Sequence, residues 1–299
     1  MSSWQGRIIS QVLRRTMKPM MFSGKPTAAR MGISAFFLEA SAALVPVPRA
    51  RFTPLDRPRG EWVDGEQQTG RVILYLHGGA YIAGSPRTHR PLTAELARVS
   101  GARVLALEYR QAPQHPYPAW LDDSVSAYQF LLKEGVKPEH IVIAGDSAGG
   151  NLALVTLLRL RELQLPLPAG AICLSPWTDL ACSYQSHRLN AHCESMLSPD
   201  GLRHLGLRHI GTRNPKDPLL SPAYADLAGL PPLMVHVGTT EILLDDARAI
   251  RRNAKRAGVR LHYREWKEMP HVFPLFHRFL PEGRKAIAAM SNFINDVTS

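Results

Sequence analysis

The chain has 299 residues, of which 45% are hydrophobic and 20% are charged, and it carries a formal net charge of +11. This composition is typical of a globular protein and excludes a wholly disordered chain, which would bury too little apolar surface to offset its conformational entropy. No run approaches the roughly 20 uninterrupted apolar residues of a membrane-spanning helix, so no stable membrane insertion is predicted. Three cysteines without a C-x-x-C pair predict neither a disulfide framework nor a zinc site, and indicate a reducing, cytoplasmic location.

The excess positive charge is concentrated at the start of the chain. Residues 1–60 contain ten Lys and Arg against two acidic residues, a net charge of +8. Apolar residues recur at helical spacing over 4–21, and a second helix is predicted over 26–44. The first helix can be a transit peptide, a membrane-surface helix or an ordinary docking helix with a basic face, and we favour the docking helix. No nucleic-acid-binding motif accompanies the charge, so no nucleic-acid partner is predicted.

Beyond residue 45 the pattern changes. Residues 45–59 are rich in Pro and Arg and predict an extended connection. Short apolar runs then predict strands at 72–76, 104–107, 141–144, 171–174, 233–237 and 261–263. Helical patterns between and after them predict helices at 89–99, 119–134, 147–163, 241–257 and 282–296. Strands that are apolar on both faces and alternate with helices predict an α/β fold with a mostly parallel sheet covered on both sides. Residues 180–215 show no strand pattern and predict an insertion packed above the sheet.

A serine follows the predicted strand 141–144 in the segment Gly-Asp-Ser-Ala-Gly-Gly-Asn, residues 145–151. This is a G-x-S-x-G sequence in the context of strand, sharp turn and helix, which places a serine hydroxyl above the sheet. Ser147 is therefore the candidate nucleophile. The N–H of Ala148, at the start of the next helix, points toward any negative charge that develops there.

A second segment, His-Gly-Gly-Ala-Tyr at 77–81, follows the predicted strand 72–76. Backbone N–H groups without bulky side chains are what an oxyanion hole requires, because side chains there would block the acyl group. Gly78 and Gly79 are thus predicted to bind the oxyanion together with Ala148, and His77 is predicted to support their turn.

Four segments together resemble the hormone-sensitive-lipase-like esterases, also called bacterial family IV, of the α/β-hydrolase fold. They are HGGAY at 77–81, EYRQAPQHPYPA at 108–119, GDSAGGN at 145–151 and PHVF at 270–273. The form Gly-Asp-Ser-Ala-Gly resembles the subgroup with Asp before the nucleophile. The sequence departs from the family pattern at Ala80, where a third glycine is common, and at Gln111 and Gln114. Residues 108–110 are interpreted as architectural support for the oxyanion turn.

The resemblance implies a triad in the order serine, acid, histidine. His271, after the last predicted strand, is the candidate base. The family pattern Asp-x-Leu-x-Asp reads Glu-Ile-Leu-Leu-Asp at 241–245, so Glu241 takes the position of the triad acid. The competing carboxylates are Asp245, Asp246 and Asp217.

These features predict an α/β-hydrolase core of residues 46–179 and 216–299, with a helical cap formed by 1–45 and 180–215. The expected activity is hydrolysis of short- to medium-chain acyl esters through an acyl-enzyme, without a metal or organic cofactor. The resemblance also implies a possible homodimer. An amidase, a lactonase or a metabolite deacetylase would use the same triad. A non-catalytic small-molecule receptor of this fold is disfavoured, because such receptors lack the histidine present here as His271.

Overall fold

The protein is organised around an eight-stranded sheet, seen in a computed structural model that describes residues 2–19, 27, 32–33, 35–36, 38–40 and 45–299. In spatial order the strands are β1-β2-β4-β3-β5-β6-β7-β8. Their bounds are β1 Arg51–Asp56, β2 Arg59–Asp64, β3 Val72–Leu76, β4 Arg103–Leu107, β5 Ile141–Asp146, β6 Gly170–Leu174, β7 Leu233–Gly238 and β8 Leu261–Trp266. Strands β3 to β8 run parallel, whereas β1 and β2 form an antiparallel hairpin at one edge. The carboxyl ends of the central strands therefore meet at one edge, where loop residues from distant parts of the chain converge.

Helices cover both faces of this sheet. The described helices are α1 Trp4–Thr16, α2 Pro86–Ser100, α3 Ala119–Lys133, α4 Ala148–Glu162, α5 Ser186–Leu189, α6 Pro199–Ile210, α7 Leu244–Arg256 and α8 Pro281–Val297. On one face, Leu92 of α2 and Phe293 of α8 pack in one apolar cluster with Ile73 of β3. On the other, Leu157 of α4 clusters with Leu74 of β3, alongside residues of α3 and α7. The two clusters explain why β3 and β5 are buried at every position.

All six strands and five helices predicted beyond residue 60 are present, with ends that differ by at most three residues. The prediction of an extended connection over 45–59 was wrong in part, because its second half forms β1 and the turn into β2. Strand β1 is only half-buried and contains Pro54, so its sequence lacks an apolar alternation. Helix α1 ends at Thr16, earlier than predicted, and residues 20–21 of that prediction lie outside the described residues. The predicted helix 26–44 falls largely outside them too, although 32–33, 35–36 and 38–40 are helical.

Residues 180–215, called the cap insertion below, contain α5 and α6 and no strand. The carboxylate of Asp246, on α7, anchors the segment. Its Oδ1 accepts the N–H groups of Thr178 and Asp179 at 2.8 and 2.9 Å, and its Oδ2 lies 2.9 Å from Nε2 of His187. Helix α1 contacts the same insertion, because Nζ of Lys18 donates to the carbonyl of Ala191 at 2.8 Å. Within the described ranges, no helix is both long and apolar enough to cross a membrane.

Candidate active site

Ser147 occupies a strained turn between β5 and α4. Its backbone has φ 53° and ψ −118°, a conformation that residues with a side chain rarely adopt. The turn is held by the Ser147 N–H, which donates to the Leu174 carbonyl of β6 at 2.8 Å. A Cβ on Gly149 would lie 1.9 Å from the carbonyl oxygen of Leu76, so only glycine allows α4 to start this close to β3. The turn places the serine at the carboxyl edge of the sheet.

His271 and Glu241 come from the loops after β8 and β7 and meet at the same edge. Nδ1 of His271 lies 2.7 Å from Oε2 of Glu241, and both side chains are buried. The other carboxylate oxygen, Oε1, accepts the Ser175 hydroxyl at 2.7 Å and the N–H of Gly238. The same Ser175 hydroxyl accepts the N–H of Val272 at 3.1 Å. Ser175, which no sequence motif indicated, therefore holds Glu241 and the loop of His271 together.

Electrostatics favour the charged form of this imidazole. Burial by itself lowers the pKa of His271, but the hydrogen bond and the charge of Glu241 outweigh that effect and raise the pKa above its usual value of 6.5. Ser147 and His271 line one cavity. The Ser147 hydroxyl has no hydrogen-bond partner among the described residues. Hydrogen bonds between nucleophile and base are often long in unliganded active sites and tighten when substrate binds.

The three competing carboxylates have other partners. Asp245 accepts the N–H of Ser186 at 2.9 Å and pairs with Arg248. Asp246 anchors the cap insertion, and Asp217 accepts the N–H of Leu219 at 2.9 Å. In the part of the chain that the structure describes, Glu241 is the one carboxylate hydrogen-bonded to His271.

The segment 77–81 forms a tight loop next to Ser147. Gly79 has φ 124°, and a Cβ there would lie 1.9 Å from the Ala83 carbonyl oxygen, so the position requires glycine. Ala80 adopts φ 54°, a left-handed conformation that explains why the resembled family favours glycine at that place. The N–H groups of Gly79 and Ala148 have no acceptor within the described residues. The N–H of Gly78 already donates to Asp146 at 3.1 Å, so an oxyanion would share that hydrogen.

A buried ion pair lies beneath the loop. Asp146 accepts the Tyr75 hydroxyl at 2.7 Å, and one of its oxygens lies 3.2 Å from Nε2 of His89. Burial alone raises the pKa of Asp146, but the charge and hydrogen bonds of His89 and Tyr75 outweigh it, so the pKa is lowered. Conversely, burial lowers the pKa of His89, and Asp146 reverses this and raises it. The pair stabilises the charged carboxylate that fixes Gly78.

Polar and aromatic contacts support the loop from other directions. The imidazole of His77 stacks on Tyr109 with ring centres 4.3 Å apart, and the Tyr109 hydroxyl donates to the His77 carbonyl at 2.6 Å. The supporting role predicted for His77 and Tyr109 agrees with these contacts, whereas Glu108 and Arg110 pair instead with Arg59 and Asp123. From the cap insertion, Nε2 of His209 lies 2.9 Å from the carbonyl oxygen of Ala80. Burial lowers the pKa of His209 to about 4, so this imidazole is neutral at ordinary pH and donates through Nε2.

Glu194 is a buried carboxylate that sequence reasoning missed. Its Oε1 accepts the N–H groups of Met196 and Leu197 at 2.8 and 3.3 Å, and its Oε2 accepts the N–H of Ile242 at 3.0 Å. Met196 and Leu197 line the cavity, and Ile242 follows Glu241 in the chain. Glu194 thus connects the wall of the cavity to the segment that carries the triad acid. No motif marks it, because its contact with Ile242, 48 residues away, arises only on folding.

The cavity above Ser147 is small and mostly apolar. It has a volume of about 40 Å³. Its polar part comprises Ser147, His271, the ion pair of His89 and Asp146, and the glycine loop. Its apolar lining, within the described residues, is Leu38, Ala80, Met196, Leu197, Leu202, Val272 and Leu275. Such a site accepts a small uncharged acyl group next to a nucleophile and two free N–H donors.

Comparison with known proteins agrees with this geometry. Residues 73–275 match a family described as having the alpha/beta hydrolase fold. The chain is 45% identical over 252 residues to an acetyl-hydrolase of Streptomyces hygroscopicus, covering 84% of each chain. It is 36% identical over 296 residues to an esterase of Acinetobacter venetianus, covering 97% of this chain and 96% of that one.

The fold is also similar to solved structures over its whole length. One is the crystal structure of an esterase from the bacterial hormone-sensitive lipase family, which is 37% identical with a TM-score of 0.91. The alignment covers 100% of both chains. The likeness therefore includes the cap insertion as well as the sheet.

Proposed function

This chain belongs to the α/β-hydrolase-fold family, among the hormone-sensitive-lipase-like esterases, and is a serine carboxylesterase; we propose that Ser147, His271 and Glu241 are its catalytic triad. One observation carries the proposal. The buried Glu241 carboxylate binds Nδ1 of His271 at 2.7 Å, beside a serine held in a strained turn. This contact fixes the tautomer that leaves Nε2 free to accept a proton.

In the proposed mechanism, Ser147 attacks the acyl carbon while Nε2 of His271 takes the hydroxyl proton. The N–H groups of Gly79 and Ala148 bind the resulting oxyanion, with a shared contribution from Gly78. The imidazolium then gives its proton to the departing alcohol, which leaves an acyl-enzyme on Ser147. Water, activated by the same imidazole, hydrolyses the acyl-enzyme and restores the serine.

We further propose that the acyl group is of short to medium length, with a preference for the short end. A cavity of about 40 Å³ has room for about three water-sized groups, since each water occupies roughly 10–15 Å³ on this measure. An acetyl group is of that size. The similarity to a protein named acetyl-hydrolase supports the same preference.

Active-site labelling tests the proposal directly. A fluorophosphonate should add once to the native protein, at Ser147, and Ser147→Ala should abolish both labelling and ester turnover. Ser183→Ala, which changes a serine of the cap insertion, is the matched control and should retain both. A panel of p-nitrophenyl esters from acetate to octanoate then measures acyl preference. Labelling elsewhere, or turnover in Ser147→Ala, would refute the triad.

A cytoplasmic location and a homodimer complete the proposal. All three cysteines are free thiols, which supports a reducing compartment. Strand β8 lies at the outer edge of the sheet, and an edge strand offers unpaired backbone groups to a second copy. Cell fractionation tests the location, and sedimentation velocity tests the dimer.

A further inference from the structure

Helix α1 has an inner and an outer face of different character. On the inner face Gly6, Leu13 and Met17 are buried against the body of the protein. On the outer face Trp4, Ile8 and Val12 are 62%, 50% and 52% exposed. Residues four apart lie above one another on a helix, so these three form one apolar row. We call them the α1 apolar row.

The orientation of this row is fixed. The hydroxyl of Ser3 donates to Glu282 of α8 at 2.8 Å, at the amino end of the helix. At the carboxyl end Arg14 donates to the Cys193 carbonyl at 2.6 Å, and Lys18 donates to the Glu194 carbonyl at 3.0 Å. Contacts at both ends prevent the helix from rolling its apolar row inward. The row therefore faces solvent while the inner face remains docked.

The charged side chains of α1 itself are all basic, and carboxylates from elsewhere in the fold, Glu268 and Glu282, contact its amino end through Ser2 and Ser3. Residues 1–38 contain no Asp or Glu. Arg7 and Arg15 lie on the exposed side of α1, and neither side chain makes a hydrogen bond or an ion pair with the described residues. Tryptophan is enriched where a membrane meets water, and a basic helix with an apolar face binds anionic lipid surfaces.

We propose that the outer face of α1 binds an anionic phospholipid surface. The α1 apolar row enters the headgroup region, and Arg7 and Arg15 contact lipid phosphates. A second copy of this chain is a poorer binding partner for the outer face of α1, because two faces of the same positive charge repel each other. Through Lys18, α1 adjoins residue 194, beside the cavity residues Met196 and Leu197, so binding brings the acyl cavity near the lipid surface.

Vesicle co-sedimentation of the full-length protein tests the proposal. Vesicles of equal parts phosphatidylglycerol and phosphatidylcholine should bind the protein, and more weakly as salt rises, whereas pure phosphatidylcholine should bind little. The variant Trp4→Ala/Ile8→Ala/Val12→Ala should bind the anionic vesicles at least about tenfold less. Arg7→Gln/Arg15→Gln should weaken binding to the anionic vesicles by about 30-fold, at about 1 kcal/mol for each arginine. Leu163→Ala/Phe279→Ala, which changes exposed apolar residues elsewhere, is the matched control and should bind normally.

Turnover of soluble p-nitrophenyl acetate and the Tm should be unchanged in every variant, because the altered side chains are exposed. Absence of binding to anionic vesicles, or equal binding by the triple variant, would overturn the proposal. A fall in Tm of the triple variant would show instead that the row is covered within the molecule. Conversion of a dimer to a monomer in that variant would show that a second copy is the occupant.

Discussion

At the scale of single residues, the charge of Glu241 is expected to control the rate of ester hydrolysis. Glu241→Gln should reduce kcat by about 10³–10⁴, because an amide neither stabilises the imidazolium nor fixes the correct tautomer of His271. Asp245→Asn alters a carboxylate that contacts Ser186 and Arg248, so it should cost far less. Steady-state kinetics on p-nitrophenyl acetate measure both. A greater loss in Asp245→Asn than in Glu241→Gln would move the acid to Asp245.

The pH dependence follows from the same pair. The base must be neutral to accept a proton, so kcat/KM should rise with pH as His271 loses its proton. Since Glu241 raises the pKa of His271 above its usual 6.5, the midpoint of this rise should lie above pH 6.5. Glu241→Gln removes the stabilising charge and should move the midpoint to lower pH. An unmoved midpoint would mean that another group controls the acid limb.

Glu194 is expected to affect both the unfolding free energy and the pKa of His271. Glu194→Gln turns one acceptor oxygen into a donor that faces a backbone N–H, which should cost about 1–3 kcal/mol of unfolding free energy. The charge of Glu194 also contributes to raising the pKa of His271, so the acid limb should shift to lower pH. Urea unfolding and a pH–rate profile measure the two effects. Glu139→Gln, at an exposed position, should change neither.

Sequence motifs predicted the residues of the proposed triad, but not those that hold them in place. Ser147, His271 and Glu241 are recognisable because the turn, the loop and their order have fixed local sequences. Ser175 and Glu194 each connect to the segments of Glu241 or His271 through a contact far away in the chain, to Val272 and Ile242 respectively, and such contacts leave no local pattern. Their roles became visible only once the strand ends were assembled at one edge.

At the scale of elements, burial determined which strands could be predicted. Strands β3 and β5 are buried at every position, so their apolar runs stand out from the flanking turns. Strand β1 is exposed or half-buried throughout, and its sequence of Arg, Thr, Pro and Asp is typical of a loop. Its pairing with β2 depends on backbone hydrogen bonds, which side-chain patterning does not report.

The link between the cap insertion and α7 should make stability depend on pH. Burial opposes the charged imidazole, but the hydrogen bond to Asp246 outweighs it and raises the pKa of His187 to about 10. A pKa above the unfolded value of about 6.5 gives stabilisation that is complete below pH 6.5 and is lost as pH rises through 10. The unfolding free energy should fall by on the order of 5 kcal/mol over that range.

Urea unfolding at several pH values measures this effect. His187→Gln should remove most of the slope of unfolding free energy against pH, because glutamine does not titrate. His115→Gln, at an exposed position, should leave the slope unchanged and serves as the control. If the native protein and His187→Gln show equal slopes, the ion pair is not the cause.

At the scale of the whole molecule, α1 is expected to stabilise the cap insertion. Deleting residues 1–19 removes the buried Leu13 and Met17 and the contacts of Arg14 and Lys18 with residues 191–194. Burial of two such side chains contributes about 3–6 kcal/mol at most, so the Tm should fall while the sheet stays folded. The kcat/KM should fall most for the acyl lengths that the intact enzyme prefers. The triple variant of the α1 apolar row keeps the inner contacts and is the control. A truncated protein with an unchanged Tm and ester profile would contradict this role.

The hydrogen bond from His209 to the carbonyl of Ala80 has a consequence for how such enzymes can diversify. In the proposed mechanism, the segment that lines the acyl cavity also supports the loop that binds the oxyanion. A chimera that received residues 180–215 from a relative would acquire a new substrate wall and lose this support unless the graft supplied an equivalent donor. Exchange of residues 180–215 should therefore change acyl selectivity and turnover rate together. A chimera should stay active only where a donor equivalent to His209 is retained.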